Sequence, residues 1–225
     1  MFQQIPYACK VSGTSITDWS CAEGEIGVVE NFKQVGPGSA WKNSGRYTAI
    51  NGQIQPTIEM LEKRVMRWRL IDAGFQSTLT FGMRKVSNQA QLDQYLANKG
   101  GELDMDAVCG GFEVVQFEVA SDGLTHGQAI AKTENYLQPG YRSDILFSLP
   151  EAGYYCVYDN KSTDNLNGNA KQTRLLAVIK ADANPDSDGV AGSTAAEQTA
   201  FFDCTVEQRG QGCLSVGRGA RCRSR

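Results

Sequence analysis

The stretch RVMRWRLIDAG, residues 64–74, decides the fold class of this 225-residue chain. Its apolar and charged side chains alternate, so that Met66, Trp68 and Leu70 share one face while the arginines lie on the other. An alternation of period two is typical of a β-strand that buries one face. The stretch therefore predicts a half-buried strand.

Similar strands recur along the chain. Apolar and polar residues alternate in residues 78–84 and 115–119, and the second stretch predicts Val115, Phe117 and Val119 as the buried face. Further short apolar strands are predicted at residues 144–149, 154–158 and 174–180. The segment PEAG, residues 150–153, predicts a hairpin loop between the first two of these. Many short strands joined by turns predict an antiparallel β-sandwich or barrel.

One short helix interrupts the strands. Leu92, Tyr95 and Leu96 form a stripe with helical spacing, and Ser87 or Asn88 precedes it as the capping residue. The pair Gly100-Gly101 is expected to end this helix. The sequence therefore predicts an all-β protein with one inserted short helix.

Three local patterns predict turns. Asn51-Gly52 favours a tight turn with positive φ, Asp122-Gly123 stands in the segment ASDGL, and Pro139-Gly140 leads into a strand that begins PGYRSD. Arg142 and Asp144 are two residues apart in that strand, so they lie on one face, where Arg142 can bind a nearby carboxylate with two hydrogen bonds. We interpret these patterns as turns and salt bridges that define the fold rather than as a site.

The chain has a single histidine, His126, in the segment DGLTHGQ. Most catalytic zinc and copper sites need two or three imidazoles, so one histidine cannot build such a site. A Ser-His-Asp triad would have to use His126, and the glycines around it predict an exposed loop histidine instead. Paired carboxylates are left open, because no spacing singles out a pair. We expect no catalytic, cofactor-binding or metal-binding residues in this chain.

Charge is unevenly distributed along the chain. Residues 209–225 contain five arginines and no acidic residue, so the other 208 residues carry 17 basic and 25 acidic groups, a net charge of −8. An acidic body does not attract nucleic acid. No apolar run approaches the roughly 18 residues of a membrane helix, and the opening MFQQIPYACK lacks the regions of a signal peptide. The Arg/Gly-rich end is expected to be disordered or foreign to the fold.

Four of the seven cysteines lie in the acidic body, at positions 9, 21, 109 and 156. An even number permits two disulfides and an oxidising compartment, although buried free thiols are the alternative. Cys9 and Cys21 are close in sequence, and a bridge between them would close a short loop worth ~2–3 kcal/mol. Spacing does not decide whether Cys109 pairs with Cys156.

Five segments in this order resemble the multicopper oxidases, the family of laccases and copper efflux oxidases. They are INGQIQPT (50–57), RWRLIDAG (67–74), ASDGL (120–124), PGYRSDIL (139–146) and GYYC (153–156). They resemble the second cupredoxin domain of a three-domain member. The opening MFQQIPYACKVSG, with Cys21 and SGRYTAING, resembles the passage from the end of the first domain.

The resemblance implies a Greek-key β-barrel or sandwich of plastocyanin type and a division of the chain. Residues 1–45 are expected to be a remnant of the first cupredoxin domain, residues 46–181 the second domain, and residues 182–225 a linker and tail. Family members couple the oxidation of phenols, metals or similar reductants to the reduction of dioxygen to water. Their four coppers are held by H-x-H, H-x-x-H-x-H and H-C-H segments, none of which this chain contains.

A middle domain of this family typically holds no copper. The chain alone is therefore expected to be a copper-free, inactive fragment whose partners are the missing first and third domains. The parent is expected to be periplasmic or secreted. The alternative is a copper-free β-sandwich that acts as a binding or interaction module, and a third interpretation is a hydrolase that uses carboxylates.

Overall fold

The computed structural model of this chain describes residues 47–74, 78–97, 103–161 and 173–185, and three short strands nearer the start. In chain order the elements are β1 (Phe2–Gln4), β2 (Lys10–Ser12), β3 (Ser15–Asp18), β4 (Tyr47–Ile50), β5 (Gln53–Ile54), β6 (Thr57–Leu61), β7 (Met66–Ile71), β8 (Leu79–Lys85), α1 (Gln89–Ala97), α2 (Met105–Val108), β9 (Gln116–Ser121), β10 (Leu124–Lys132), β11 (Glu134–Leu137), β12 (Arg142–Phe147), β13 (Gly153–Asp159) and β14 (Arg174–Asp182).

Two sheets pack face to face. Strands β10, β9, β12 and β7 form a four-stranded antiparallel sheet, and β11, β8, β13, β14 and β6 form a five-stranded sheet in which the β14–β6 pair is parallel. The chain crosses between the sheets at most of its connections, as in a Greek-key sandwich. The predicted fold class, an all-β, cupredoxin-like Greek-key sandwich, is confirmed. Smaller sheets are formed by β1, β4 and β5 and by β2 and β3.

The predicted strand at residues 64–72 supplies the centre of the core. Trp68 points inward from β7 and packs edge-on against Phe147 at 4.8 Å and Phe81 at 6.2 Å between ring centroids. Phe81 and Phe147 come from opposite sheets and are almost fully buried. Such aromatic pairs add to the stabilisation from apolar burial, so Trp68 joins the two layers.

The connection between β8 and β9 covers the outer face of the five-stranded sheet. Helix α1 begins as predicted, because the Asn88 side chain accepts a hydrogen bond from the Gln91 backbone nitrogen at 3.2 Å. The prediction of a single helix is wrong: α2 is a second one, capped by the Asp104 carboxylate.

No helix in the described residues is long and apolar enough to cross a membrane.

A disulfide fastens this helical connection to the sheet. Cys109 follows α2 directly, and Cys156 lies in the central strand β13. Their sulfur atoms form a disulfide, and both residues are buried. Spacing had left this pair undecided. The structure therefore assigns one of the two disulfides that the cysteine count allows. Cys9 and Cys21 lie outside the described residues.

The predicted hairpin at residues 144–158 is wrong. Strand β12 belongs to the four-stranded sheet and β13 to the five-stranded sheet, so residues 150–153 cross between the layers. Both strands contribute side chains to the same core, and they do so from opposite sheets.

The predicted burial of β9 is incomplete. Phe117 is buried on the outer face of its sheet, beneath Val65, Ala129 and Leu146. Glu118 is buried too, but it faces inward, because it stands opposite the core residue Ile145 and directly paired residues share a face. Both faces of β9 are covered, so alternation alone could not show which one meets the core.

Candidate functional site

Three of the quoted segments meet at one end of the four-stranded sheet. We call this the motif corner and define it as residues 71–74, 120–124 and 139–144. The backbone nitrogen of Asp72 donates to the Tyr141 carbonyl at 3.0 Å, and that of Gly140 donates back to the Asp72 carbonyl at 2.8 Å. The Asp122 nitrogen donates to the Arg142 carbonyl at 3.0 Å. Segments far apart in sequence are thus joined by their backbones.

Each predicted turn is present. Asn51 and Gly52 join β4 to β5 with φ values of 51° and 82°, and Asp122 and Gly123 join β9 to β10 with φ values of 48° and 88°. Both central residues have positive φ, as in the type I′ turns that suit two-residue hairpins. Gly140, with φ of 87°, follows Pro139 in a turn closed by a hydrogen bond from the Tyr141 nitrogen to the Gln138 carbonyl at 2.9 Å.

The outer face of the motif corner carries salt bridges. Asp144 binds the Arg67 guanidinium and lies 3.6 Å from Arg69 Nε. Arg142 binds Asp122 instead of Asp144: its backbone nitrogen donates to Asp122 Oδ1 at 3.1 Å, and its guanidinium lies 3.7 Å away. The expected two-pronged guanidinium contact is not formed. These arginines are half-exposed or more, so each pair contributes little, about 0–1 kcal/mol.

The inner face of the same corner holds a partly buried polar cluster. We call it the Glu118 cluster: Glu118, His126, Lys132, Asn135 and Ser143. Glu118 lies at its centre, with Oε1 at 2.8 Å from His126 Nε2, and Oε2 accepting from Lys132 Nζ at 2.6 Å and from Ser143 Oγ at 3.1 Å. Asn135 Nδ2 in turn donates to Ser143 Oγ at 2.7 Å. Each of the five side chains thus makes at least one polar contact within the cluster.

The surroundings of Glu118 favour its ionised form. Burial disfavours the charge, but hydrogen bonds from Lys132, His126 and Ser143 together outweigh that cost and hold the pKa of Glu118 below its usual range. A buried carboxylate with a lysine partner is stable only while the partner remains. The Glu118 cluster is therefore a charged junction between β9, β10 and β12.

The structure corrects the expectation for His126. This residue lies within β10 rather than in a loop, and its side chain is 23% exposed because it bends toward Glu118. The pairing of β10 with β9 shifts between Thr125 and Ile130, so residues 126–129 have no regular partners. The histidine contact secures this irregular part of an edge strand.

The cluster does not form a Ser-His-acid triad. In a triad the imidazole lies between the hydroxyl and the carboxylate and accepts the hydroxyl proton. Here Glu118 lies in the middle: Ser143 donates to one of its oxygens and His126 contacts the other. The imidazole thus contacts the acid but not the serine hydroxyl, so these three side chains do not form a triad.

Copper, the cofactor implied by the resemblance, does not fit the donor set present. The whole chain supplies one imidazole, and His126 is already bound to Glu118. Cys109 and Cys156 are joined in a disulfide and offer no thiolate. Within the ranges that the structure describes, no three His, Cys, Asp or Glu side chains are grouped closely enough to hold a metal ion.

Sequence reasoning missed most of the Glu118 cluster. Lys132, Asn135 and Ser143 were not singled out, and Glu118 was expected on an exposed face. No local pattern singled out the cluster, because the alternation of polar and apolar residues from Gln116 to Val119 is equally typical of a strand with one exposed face.

No protein-family model matches the sequence, and no curated protein matches it. Among solved structures, the chain is similar to a multicopper oxidase from Pseudomonas thermotolerans, with 20% identity, 67% of this chain and 27% of that chain covered, and a TM-score of 0.42. It is similar to a multicopper oxidase from Campylobacter jejuni, described as a metallo-oxidase (18% identity, 66% and 26% covered, TM-score 0.42). The chain is also similar to a multicopper oxidase variant from Aquifex aeolicus, with 12% identity, 61% of this chain and 25% of that chain covered, and a TM-score of 0.46.

The chain thus spans about a quarter of the length of each of these proteins. Identities of 20% or less and TM-scores below 0.5 carry nothing about activity.

Proposed function

We propose that residues 46–181 form the second cupredoxin-like domain of a multicopper oxidase, with residues 1–45 belonging to the end of the first domain and residues 182–225 to a linker and tail. One observation carries this proposal: three of the five segments that resemble the family meet in the motif corner. PGYRSDIL is hydrogen-bonded to both RWRLIDAG and ASDGL. INGQIQPT forms the β4–β5 turn, and GYYC supplies Cys156 of the disulfide.

Within such a parent this chain has a structural role. Its donor set does not suit copper, since the single imidazole is committed to Glu118 and the described cysteines are joined. The copper ligands then belong to the first and third domains, which are the proposed partners. The parent reaction is the oxidation of phenols, metals or similar reductants coupled to reduction of dioxygen, and the isolated chain is inactive in it.

The disulfide supports a periplasmic or secreted parent. Bridges such as Cys109–Cys156 persist in oxidising compartments and are rare in the cytosol. Its sulfur atoms are buried, which protects the bond from soluble reductants. The oxidising compartment is proposed for the parent protein, whose whole polypeptide would carry the export signal.

The nucleotide sequence on either side of the coding region tests the proposal. We expect H-x-H codons upstream and H-x-x-H-x-H and H-C-H codons downstream, in this or another frame. Unrelated coding sequence on both sides would contradict the multicopper oxidase assignment. It would favour the alternative, a copper-free β-sandwich that acts as an interaction module, and recovery of a stable complex with an unrelated protein would then identify its partner.

A further inference from the structure

The tip of the β4–β5 hairpin presents an asparagine followed by glycine. Asn51 and Gly52 are both exposed, and a Cβ atom placed on Gly52 would meet no heavy atom within 4 Å. Glycine places no side chain beside its own backbone nitrogen, and the space that a side chain would occupy at position 52 is open. A bond between that nitrogen and the Asn51 side-chain carbon Cγ would close a five-membered ring.

We propose that Asn51 is a site of spontaneous deamidation. The Gly52 nitrogen attacks the Asn51 side-chain carbon Cγ, and the new C–N bond closes a succinimide ring. The bond from Cγ to the side-chain nitrogen breaks, and ammonia leaves with the proton lost by the attacking nitrogen. Water then opens the ring at either carbonyl, which gives aspartate or isoaspartate. The reaction needs no reactant other than water, and each product carries one new negative charge.

Local opening of this hairpin is easy. Ring closure requires the Asn51 backbone to rotate out of its turn conformation. Strand β5 contains only Gln53 and Ile54, it pairs with β4 at two positions, and it lies at the edge of its sheet. Short edge pairings open at low free-energy cost. No hydrogen bond to any residue in the described ranges holds the Asn51 side chain, so the amide is free to approach the nitrogen.

The β9–β10 turn is a natural comparison. Asp122 and Gly123 have nearly the same backbone angles as Asn51 and Gly52. However, Asp122 Oδ1 accepts a hydrogen bond from the Arg142 nitrogen at 3.1 Å, and the Asp122 nitrogen donates to the Arg142 carbonyl. These contacts tie the turn to β12 and hold its side chain. The two turns therefore share a conformation and differ in restraint.

The variant Asp122→Asn gives the β9–β10 turn an Asn-Gly pair, so that the deamidation rates of the two turns can be compared in one sample. The folded variant is incubated at mildly alkaline pH, and digested samples are analysed by mass spectrometry for conversion of amide to acid and for isoaspartate. Peptides must be separated, because the sequence contains a second Asn-Gly pair at Asn167-Gly168. The Asn51→Gln variant is the chemical control, since attack on its longer side chain would require a six-membered ring.

We expect Asn51 to react about fivefold faster than position 122, the factor that one retained hydrogen bond of about 1 kcal/mol represents. The Asn51→Gln variant should keep its amide at position 51 over the same period. An equal or slower rate at Asn51 than at position 122, or an Asn51 that stays intact while position 122 reacts, would overturn the proposal. If Asn51 stays intact throughout the incubation, the proposal is likewise wrong.

Discussion

Removal of the Cys109–Cys156 disulfide should destabilise the domain by about 4 kcal/mol. The two cysteines are 47 residues apart, and cross-linking a loop of that length removes close to 14 cal/mol/K of unfolded-chain entropy, about 4 kcal/mol at 25 °C. A domain of ordinary stability has only about 5–15 kcal/mol in total. The perturbation is therefore large enough to measure and small enough to leave folded protein.

The assay is urea unfolding followed by tryptophan fluorescence, since Trp68 is partly buried and packs against the core. Oxidised protein is compared with protein that has been unfolded, reduced and refolded in excess reductant, which gives the reductant access to the buried bond, and with the double variant Cys109→Ala/Cys156→Ala. Reduction breaks only the bond, whereas the variant also removes two buried sulfur atoms. Agreement between the two losses of unfolding free energy would assign the effect to the bond itself.

The location of the bridge makes a second readout possible. Cys109 ends α2, so loss of the bond frees the helical connection from the sheet before the sandwich itself unfolds. Limited proteolysis should then cut first within residues 86–113. A loss of unfolding free energy below about 1 kcal/mol, together with unchanged proteolysis, would refute the reasoning.

Two further predictions concern single residues. Glu118→Gln should cost about 1–3 kcal/mol of unfolding free energy at neutral pH, because Lys132, which is 33% exposed, loses its charged partner. Since folding lowers the pKa of Glu118, its contribution is complete above the ordinary Glu value of about 4.3 and is lost as the pH falls through the folded pKa. Acid titration of stability should thus be steeper in the native chain than in the variant, and identical curves would contradict the role of Glu118. Gly111→Ala should cost about 1–3 kcal/mol, because its Cβ would collide with the Lys85 backbone, whereas Gly127→Ala should be nearly neutral in thermal unfolding because its Cβ would meet open space. Equal melting temperatures for the two alanine variants would contradict the close approach of Gly111 to the Lys85 backbone.

Local chemistry allowed the turns to be predicted. Asn51-Gly52 and Pro139-Gly140 have few alternatives to the conformations they adopt, since positive φ strongly favours glycine and asparagine. The strand at Met66–Ile71 was equally clear, because its arginines could lie only on the solvent side. These features depend on residues within a few positions of one another.

The parts that were predicted wrongly depend on distant partners. The hairpin expected around residues 150–153 required β12 and β13 to be neighbours, and no local pattern distinguishes a hairpin from a crossing between sheets. The orientation of Glu118 depends on Lys132 and Ser143, which arrive from other strands. A short helix such as α2 has too few residues for a periodic pattern to show.

Copper binding by the isolated chain tests the central claim most directly. The purified chain is loaded with excess Cu(II), dialysed, and measured for copper per chain, for the absorption of a copper–thiolate bond, and for dioxygen consumption with a phenolic reductant. We predict copper far below one ion per chain, no such absorption and no turnover, because the single imidazole, His126, is bound to Glu118. Near-stoichiometric copper with oxidase turnover would contradict the assignment of this chain as the copper-free domain.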